Sequence, residues 1–276
     1  MPITIKTNIP SLQAQKNLQK SSQALNASFD RLSSGLRIVT AADDAAGLAI
    51  SESMSTQIRS FTIAERNAQD AVSMVQTAEG ALAEVHSILG RLRELAMQAS
   101  NGSYTATDRG FLDTEYQALK AEIGRIQQSA KFNGKELLSS SVSSIQFQIG
   151  LDNTTSDQLI LSFGGVGLSA IVAASNLVAG SGISNALRSL SAIDSTLAII
   201  STERAKYGAT MNRLDITISS IETMRLNLSA ANSRIRDVDV ASETAALARN
   251  QVLSQAGVSV LAQANQLPQL ALNLLQ

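Results

Sequence analysis

Two long runs of apolar residues, spaced alternately three and four apart, constrain the fold of this chain more than any other feature. The first run has 14 positions from Met54 to Ala99, of which 13 are apolar; the second has 14 positions from Leu190 to Ile235, of which 11 are apolar or aromatic. A sustained 3,4 spacing keeps one stripe of a helix facing one partner. Each run would be roughly 70 Å long at about 1.5 Å per residue. We therefore predict a mainly α fold, a long antiparallel coiled-coil or helical-bundle rod with a small β-hairpin region.

The composition suits long helices better than a globular enzyme. Aromatic residues make up 3% of the chain, there is no tryptophan, and there are three prolines, at positions 2, 10 and 268. Nothing between residues 11 and 267 therefore forces a helix to kink. A net charge of −1 provides no broad attraction to nucleic acid or to an anionic membrane, and the lack of cysteine excludes disulfides and thiolate chemistry. We predict dense self-packing and no nucleic-acid partner.

Local signals set the ends of the helices. The first amphipathic stretch ends near Gly35, which suits a helix C-terminal cap. Asp43 and Asp44 stand where they could cap the next helix, which carries the first 3,4 run. A further helix is predicted over residues 108–129. Its apolar side is predicted to carry Phe111, Leu112, Leu119, Ile123 and Ile126.

The middle of the chain changes character. Residues 144–149 and 158–163 alternate or carry β-branched side chains, and a polar turn lies between them. This pattern predicts a β-hairpin. Five glycines between positions 164 and 182 predict a flexible return before helix resumes near Ser184.

The two ends of the chain are poor in charge. Residues 250–276 contain no charged side chain, yet nine of them are Asn or Gln, which is too polar for a membrane span. The first thirty residues contain four charged side chains. Because so much apolar surface would be left in water, we predict that both ends need a partner. The residues predicted to form this self-assembly core are Leu18, Leu25, Phe29, Leu32, Leu253, Val260, Leu261, Leu267, Leu270 and Leu274.

No catalytic constellation is present. His86 is the one histidine, at the edge of the first seam, where a structural role is expected. The pair Asp43 and Asp44 lacks the further oxygen ligands that a cation site needs, and the glycines at 164–167 are not followed by the lysine of a phosphate loop. We predict no enzyme activity, no metal site and no cofactor.

Short motifs are distributed along both halves of the chain. They are RLSSGLRI at 31–38, ADDAAGLAI at 42–50, QTAEGAL at 76–82, RELAMQ at 93–98, FNG at 132–134, GATMNRL at 208–214, SRIRD at 233–237 and LAQANQLPQ at 261–269. Together these motifs resemble those of bacterial flagellins. The resemblance covers about residues 1–150 and 184–276, and it leaves only residues 151–183 for variable outer domains. Two departures are Val39, where the family usually has Asn, and the final Gln276, where Arg is common.

The resemblance implies an architecture. Terminal helices at 1–42 and 237–276 would form the inner core of a filament, and residues 43–236 would form an outer rod of long helices, with a hairpin and loop at 140–183. The chain would be a short flagellin without projecting domains. We expect the terminal segments to be largely disordered before assembly, because their apolar stripes lack a partner within one molecule.

The resemblance also implies partners and a location. They are other copies of the chain, an export chaperone at the C-terminal tail, and hook-associated and cap proteins, in an extracellular filament that supports swimming. No basic segment followed by an apolar core opens the chain, so export by the flagellar type III route, without a cleaved signal peptide, is expected. Arg91, Leu95 and Glu115 resemble a patch that an innate immune receptor reads in host-associated species; salt-bridge and seam roles alone are the other interpretation.

Three alternatives are weighed against the filament subunit. A hook–filament junction protein shares the flagellin-like ends, but the glutamine-rich tail and the match on both sides favour the filament subunit. A self-contained monomeric bundle would leave the uncharged tail unexplained. A membrane-inserting translocator would need an apolar span of about 20 residues, and the sequence contains none.

Overall fold

The computed structural model describes residues 7–138, 143–163, 168 and 183–273, and no side chain is described at 143 or at 267–273. The helices and strands of these residues follow the order predicted from the sequence. The helices are α1 (Ile9–Ser34), α2 (Ala45–Ala99), α3 (Ala106–Ser129), α4 (Ile183–Arg236) and α5 (Val240–Asn273), and the strands are β1 (Lys131–Phe132), β2 (Lys135–Glu136), β3 (Ser143–Gln148) and β4 (Gln158–Phe163).

The chain forms two compact units. One comprises Met1–Ile58 and Leu226–Gln276 and is called the terminal unit here; the other comprises Arg59–Arg225 and is called the central unit. Helices α2 and α4 contribute residues to both. The predicted boundaries at 42 and 237 remain a proposal about roles in an assembly.

The first 3,4 run is the core of the central unit. Because α2 keeps this stripe against its neighbours, twelve of the 14 predicted positions are buried, and the mainly α prediction is confirmed. Only the first two positions, Met54 and Gln57, are not. The buried positions are Phe61, Ala64, Ala68, Ala71, Val75, Ala78, Leu82, Val85, Leu89, Leu92, Ala96 and Ala99.

Helix α4 presents a narrower seam. Its buried apolar residues recur every seven positions, so one heptad position enters the core while the other predicted positions are half-buried or exposed. Three ion pairs show that α2 and α4 are antiparallel, since the position on α4 falls as that on α2 rises: Glu65–Arg225 at 2.9 Å, Glu79–Arg204 at 2.7 Å and Arg93–Asp194 at 2.6 Å. The buried residues of the repeat are Ala186, Ile193, Ile200, Tyr207, Leu214 and Ile221.

Helix α3 packs into the same core through the predicted side, apart from Phe111: Ile123 is buried, and Leu112, Leu119 and Ile126 are partly buried against the core cluster. A capping box starts it, because the Thr105 hydroxyl accepts from the Asp108 N–H and the Asp108 carboxylate accepts from the Thr105 N–H. Tyr116 and Ile123 are buried. Phe111, predicted on the apolar side, is 72% exposed, so this part of the prediction is wrong: the buried side of the helix passes through Tyr116.

The predicted hairpin is present as β3 and β4. They are antiparallel, with Ser143 opposite Phe163 and Gln148 opposite Gln158. Leu159, Leu161 and Phe163 are buried while the residues between them are exposed, as a one-sided strand requires. A smaller hairpin, β1 and β2, precedes it. The predicted glycine-rich return at 164–182 lies almost wholly outside the described residues.

The terminal unit contains α1, α5 and the ends of α2 and α4. The Asn8 side chain caps α1, and Gly35 ends it in the left-handed region at φ 72°, as predicted. Asp44 accepts from the Gly47 N–H at 2.9 Å and so caps α2. Asp43 does not cap α2, because its carboxylate accepts hydrogen bonds from Val39 and Thr40 in the preceding link.

Candidate functional site

Helices α1 and α5 pack against each other through small side chains. Ser11, Ala14 and Ser28 are the buried residues of α1, and Ala264 is a buried residue of α5. The approach is close: a Cβ added at Gly257 would lie 3.3 Å from Leu18 Cδ1. The expectation that these helices have no partner within the chain is therefore wrong. Small side chains permit the contact, but their burial contributes little free energy.

Polar groups fix the register of this helix pair where the N-terminal end of α1 meets the C-terminal part of α5. The Asn8 side-chain amide donates to the Ala264 carbonyl at 2.9 Å, and the Ser11 hydroxyl donates to the Asn265 side-chain oxygen at 2.8 Å. These contacts join positions more than 250 residues apart in the sequence. They align α1 with α5 without covering the large apolar side chains.

Many of the large apolar side chains of the pair are exposed. Isolated exposed apolar residues are ordinary, but a set on two adjoining helices indicates a surface for association. The exposed members are Ile9, 64%; Leu12, 56%; Phe29, 52%; Val240, 58%; Val252, 64%; Leu253, 49%; Val258, 55%; and Val260, 54%.

The predicted self-assembly residues fall into three groups. Phe29, Leu253 and Val260 are exposed. A second set is half-buried: Leu18, Leu25, Leu32 and Leu261. The side chains of Leu267 and Leu270, and all of Leu274, lie outside the description.

The predicted self-assembly residues do not include Ile9 and Leu12, which lie at the start of α1 and are exposed. The signal was present: Asn8 is a good N-cap residue, and Pro10 suits the first turn of a helix. Together these residues would have predicted a helix beginning at Ile9, with two more apolar residues on it.

A charged junction joins α1 to the start of α5. One guanidinium nitrogen of Arg31 donates to Asp43 at 3.1 Å, and the other lies 3.8 Å from a carboxylate oxygen of Glu243. Hydrogen bonds from the Thr40 backbone and from Arg31 lower the pKa of Asp43 to about 2. The chain links beside them form an antiparallel bridge between Leu36 and Asp237.

Two residues of the predicted receptor patch are exposed, and the third is buried. Arg91 donates to Glu115 at 2.8 Å and to Glu94 at 2.9 Å on the surface of the central unit, and the hydrogen bond to Glu115 is the main cause of the raised pKa of Arg91. Leu95 is 1% exposed and belongs to the core cluster. Arg91 and Glu115 are thus on the surface, and Leu95 is not.

Other kinds of site find no support in the described part of the chain. Within the described ranges, no three His, Cys, Asp or Glu side chains gather closely enough to hold a metal ion. None of the helices described combines the length and apolar character needed to cross a membrane. His86 is half-buried at the flank of the seam, and its Nδ1 has no hydrogen-bond partner among these residues.

Long helices, with large apolar side chains exposed on the terminal pair, are typical of a self-assembling structural protein, and comparison with known proteins gives the family. Residues 5–143 match the family model of the bacterial flagellin N-terminal helical region, and residues 190–275 match that of the C-terminal helical region.

Two curated relatives match over nearly their whole length. Flagellin of Halalkalibacterium halodurans is 45% identical over 272 residues, and flagellin of Bacillus subtilis is 39% identical over 302; each alignment covers 99% of both chains. The crystal structure of Bacillus cereus flagellin matches with a TM-score of 0.51 and 33% identity, covering 60% of this chain and 94% of that one. This chain belongs to the bacterial flagellin family. It is a structural subunit of the flagellar filament, which lies outside the cell and serves motility, and no finding favours the hook–filament junction alternative.

Proposed function

We propose that α1 and α5, within residues 1–42 and 237–276, form the inner core of the filament, and that residues 43–236 form its outer rod. The observation that supports this most is the set of exposed large apolar residues on a helix pair in which the fully buried residues of α1 are all small. Burial of one large aliphatic side chain is worth about 1.5–3 kcal/mol. Contact between copies of the chain would bury these exposed side chains and gain this free energy. A head-to-tail contact that does not close into a ring produces a filament.

Substitution of Leu253 by Gln tests the proposal. Gln has a similar size and a similar helix propensity, so the change removes apolar surface from a residue that is 49% exposed while leaving α5 intact. The critical concentration for assembly should rise about tenfold or more. Met97→Gln is the matched control, since Met97 is 52% exposed but lies in the central unit.

Two results of this comparison are informative. Normal assembly of Leu253→Gln would contradict the role of α5 in the core. An equal rise for Met97→Gln would show that exposed apolar residues contribute wherever they lie, and the assignment of the core to the terminal helices would fail.

We propose further that residues 1–42 and 237–276 become fully ordered only on assembly. Small side chains in the α1–α5 contact support this, because they leave the pair marginal in an isolated molecule. Circular dichroism of monomer and filament measures the change. Equal helicity per residue in the two states would refute it.

The C-terminal tail is also the proposed binding site of an export chaperone, which would deliver the subunit to the flagellar type III route. The exposed Val252, Val258 and Val260 on α5 offer an apolar surface without charge that a chaperone would cover until assembly. Deletion of residues 243–276 should abolish both chaperone binding and filament growth. Wild-type assembly of the truncated chain would contradict this role.

Recognition by an innate immune receptor is proposed through Arg91 and Glu115. Both side chains are about half exposed, at 50% and 44%. The burial of Leu95 gives no support to a direct contact there, so Leu95 would act by holding α2 in place. A receptor reporter assay on Arg91→Ala, compared with Arg125→Ala on α3, should show a loss confined to Arg91; equal signals would leave the salt bridge as the only role of Arg91.

The remaining partners follow from a structural role. We propose that hook-associated and cap proteins contact the same terminal helices at the two ends of the filament, and that the chain carries out no catalytic step and needs no cofactor. The exposed apolar face of α1 and α5 supports shared use of one surface. Competition of a purified cap or junction protein with free subunits for filament ends would test it, and independent binding would contradict it.

A further inference from the structure

Arg31 joins three parts of the terminal unit that are far apart in the sequence. Its side chain lies on α1, Asp43 lies in the link before α2, and Glu243 lies in the first turn of α5. One guanidinium spans both carboxylates, which its planar fork permits and a lysine would not. The set Arg31, Asp43 and Glu243 is called the clasp here.

The surroundings of the clasp leave Arg31 dependent on these partners. Its side chain is 32% exposed, and its Nε is buried without a hydrogen bond within the described part of the chain. Asp43 is held in place by two backbone N–H groups and the Thr40 hydroxyl. Asp43 is thus a fixed anchor, whereas Glu243 reaches Arg31 only when α5 is in place.

Backbone hydrogen bonds connect the two chain links beside the clasp. The Arg37 N–H donates to the Arg236 carbonyl at 2.6 Å, and the Val238 N–H donates to the Gly35 carbonyl at 3.1 Å. The Arg37 guanidinium also donates to the Ile235 carbonyl. These bonds join the link after α1 to the end of α4 and to the link before α5, so among these contacts it is the ion pair with Glu243 that reaches α5 itself.

We infer that Arg31 is a positioning residue that makes the ordering of α5 depend on that of α1, so that the two terminal helices become ordered as one element. Loss of Arg31 would leave two carboxylates without their shared cation and release the start of α5, although α5 begins more than 200 residues later in the chain. This inference rests on the proposed role of the terminal helices as the filament core.

A double-mutant cycle on the critical concentration of the full-length chain tests the inference. Arg31→Gln should raise the critical concentration about fivefold, and Glu243→Gln about twofold. The double variant should be no worse than Arg31→Gln alone, because the interaction has already been lost. Lys20→Gln, which removes a cation from an exposed position on α1, is the control and should stay within about twofold of wild type.

Amide hydrogen exchange in the filaments separates this coupling from a local weakening of α1. Arg31→Gln should reduce protection at residues 240–250 as well as at 35–44, whereas loss confined to residues 9–34 would overturn the inference. Additive effects in the cycle would also overturn the inference. This outcome does not depend on whether Leu253→Gln impairs assembly, so the two proposals can fail separately.

If Arg31→Gln does not assemble, Arg31→Lys provides a second variant, because it keeps the charge but reaches one carboxylate. It should give an intermediate critical concentration, and wild-type behaviour would contradict the clasp.

Discussion

The two units of this flagellin are both built from long helices, but they differ in how far their large apolar side chains are buried. In the central unit the α2 seam encloses Leu82, Leu89 and Leu92 at 0% exposure. In the terminal unit α1 buries only Ser11, Ala14 and Ser28, while Phe29 stays in water. Because burial of large side chains stabilises a fold, we expect the central unit to be the more stable one in an isolated molecule. The proposed role of the terminal unit in assembly rests on the opposite feature, its exposed large side chains.

The largest expected effect contrasts one buried and one exposed apolar residue. Leu89→Ala opens a cavity in the α2 seam and should lower the free energy of unfolding of the monomer by about 3 kcal/mol. Phe29→Ala removes a side chain that is 52% exposed and should change it by less than about 0.5 kcal/mol. Urea denaturation followed by circular dichroism measures both. Similar losses would show that the monomer buries Phe29, and the comparison would fail.

A second substitution tests whether small residues are required between α1 and α5. Ala14 is 8% exposed and lies on α1 between Ser11 and Leu18, which both meet α5; if Ala14 faces α5 as they do, Ala14→Leu should weaken the pairing by about 2 kcal/mol through overpacking. The filament should dissociate at a lower temperature, as measured by light scattering during heating. Ala24→Leu, at an exposed position of the same helix, is the control; an equal fall there would contradict a specific small-residue contact.

The sequence predicted the central unit better than the terminal unit, for a physical reason. A coiled-coil seam repeats, so positions such as Val75 and Val85 follow from spacing alone. Gly35 was also predictable, because glycine suits the left-handed end of a helix. By contrast, the clasp joins residues 31, 43 and 243, and no local pattern relates a carboxylate on the last helix to a guanidinium on the first.

On two helices, apolar character and spacing alone do not decide which side chains are buried. Phe111 is predicted on the apolar side of α3 but is exposed, whereas Tyr116, which that prediction does not include, is buried beside the predicted Ile123. Leu95 lies outside the 3,4 positions of α2 and is buried all the same, because the central unit covers more than one side of that helix. Hydrophobicity predicts that a residue can be buried, but the number of neighbours around a helix decides which sides are.

Acid should act on the terminal unit through Asp43. Its pKa is lowered from 3.8 to about 2 by hydrogen bonds in the link before α2. Because the folded pKa is depressed, the stabilisation is present above about pH 4 and is lost as the pH falls through about 2. Amide exchange at residues 35–44 during acid titration should show this loss, and Asp43→Asn should show weaker protection that no longer changes in this range. An unchanged acid response in Asp43→Asn would assign it to other carboxylates.

Alkali should destabilise the central unit through Tyr207. This is the smallest of the expected effects. Tyr207 is 4% exposed beside Phe163, its hydroxyl has no hydrogen-bond partner in the described residues, and burial raises its pKa to about 12. Since the unfolded chain ionises near pH 10, stability is complete below that value and falls as the pH rises through about 12. Tyr207→Phe removes an unpaired polar group, so unfolding at pH 7 should change by less than about 1 kcal/mol, and urea midpoints between pH 9 and 12 should fall less than in wild type. If wild type and Tyr207→Phe lose stability equally, another group, such as the buried Tyr116 with its raised pKa, controls the alkaline limit of the central unit.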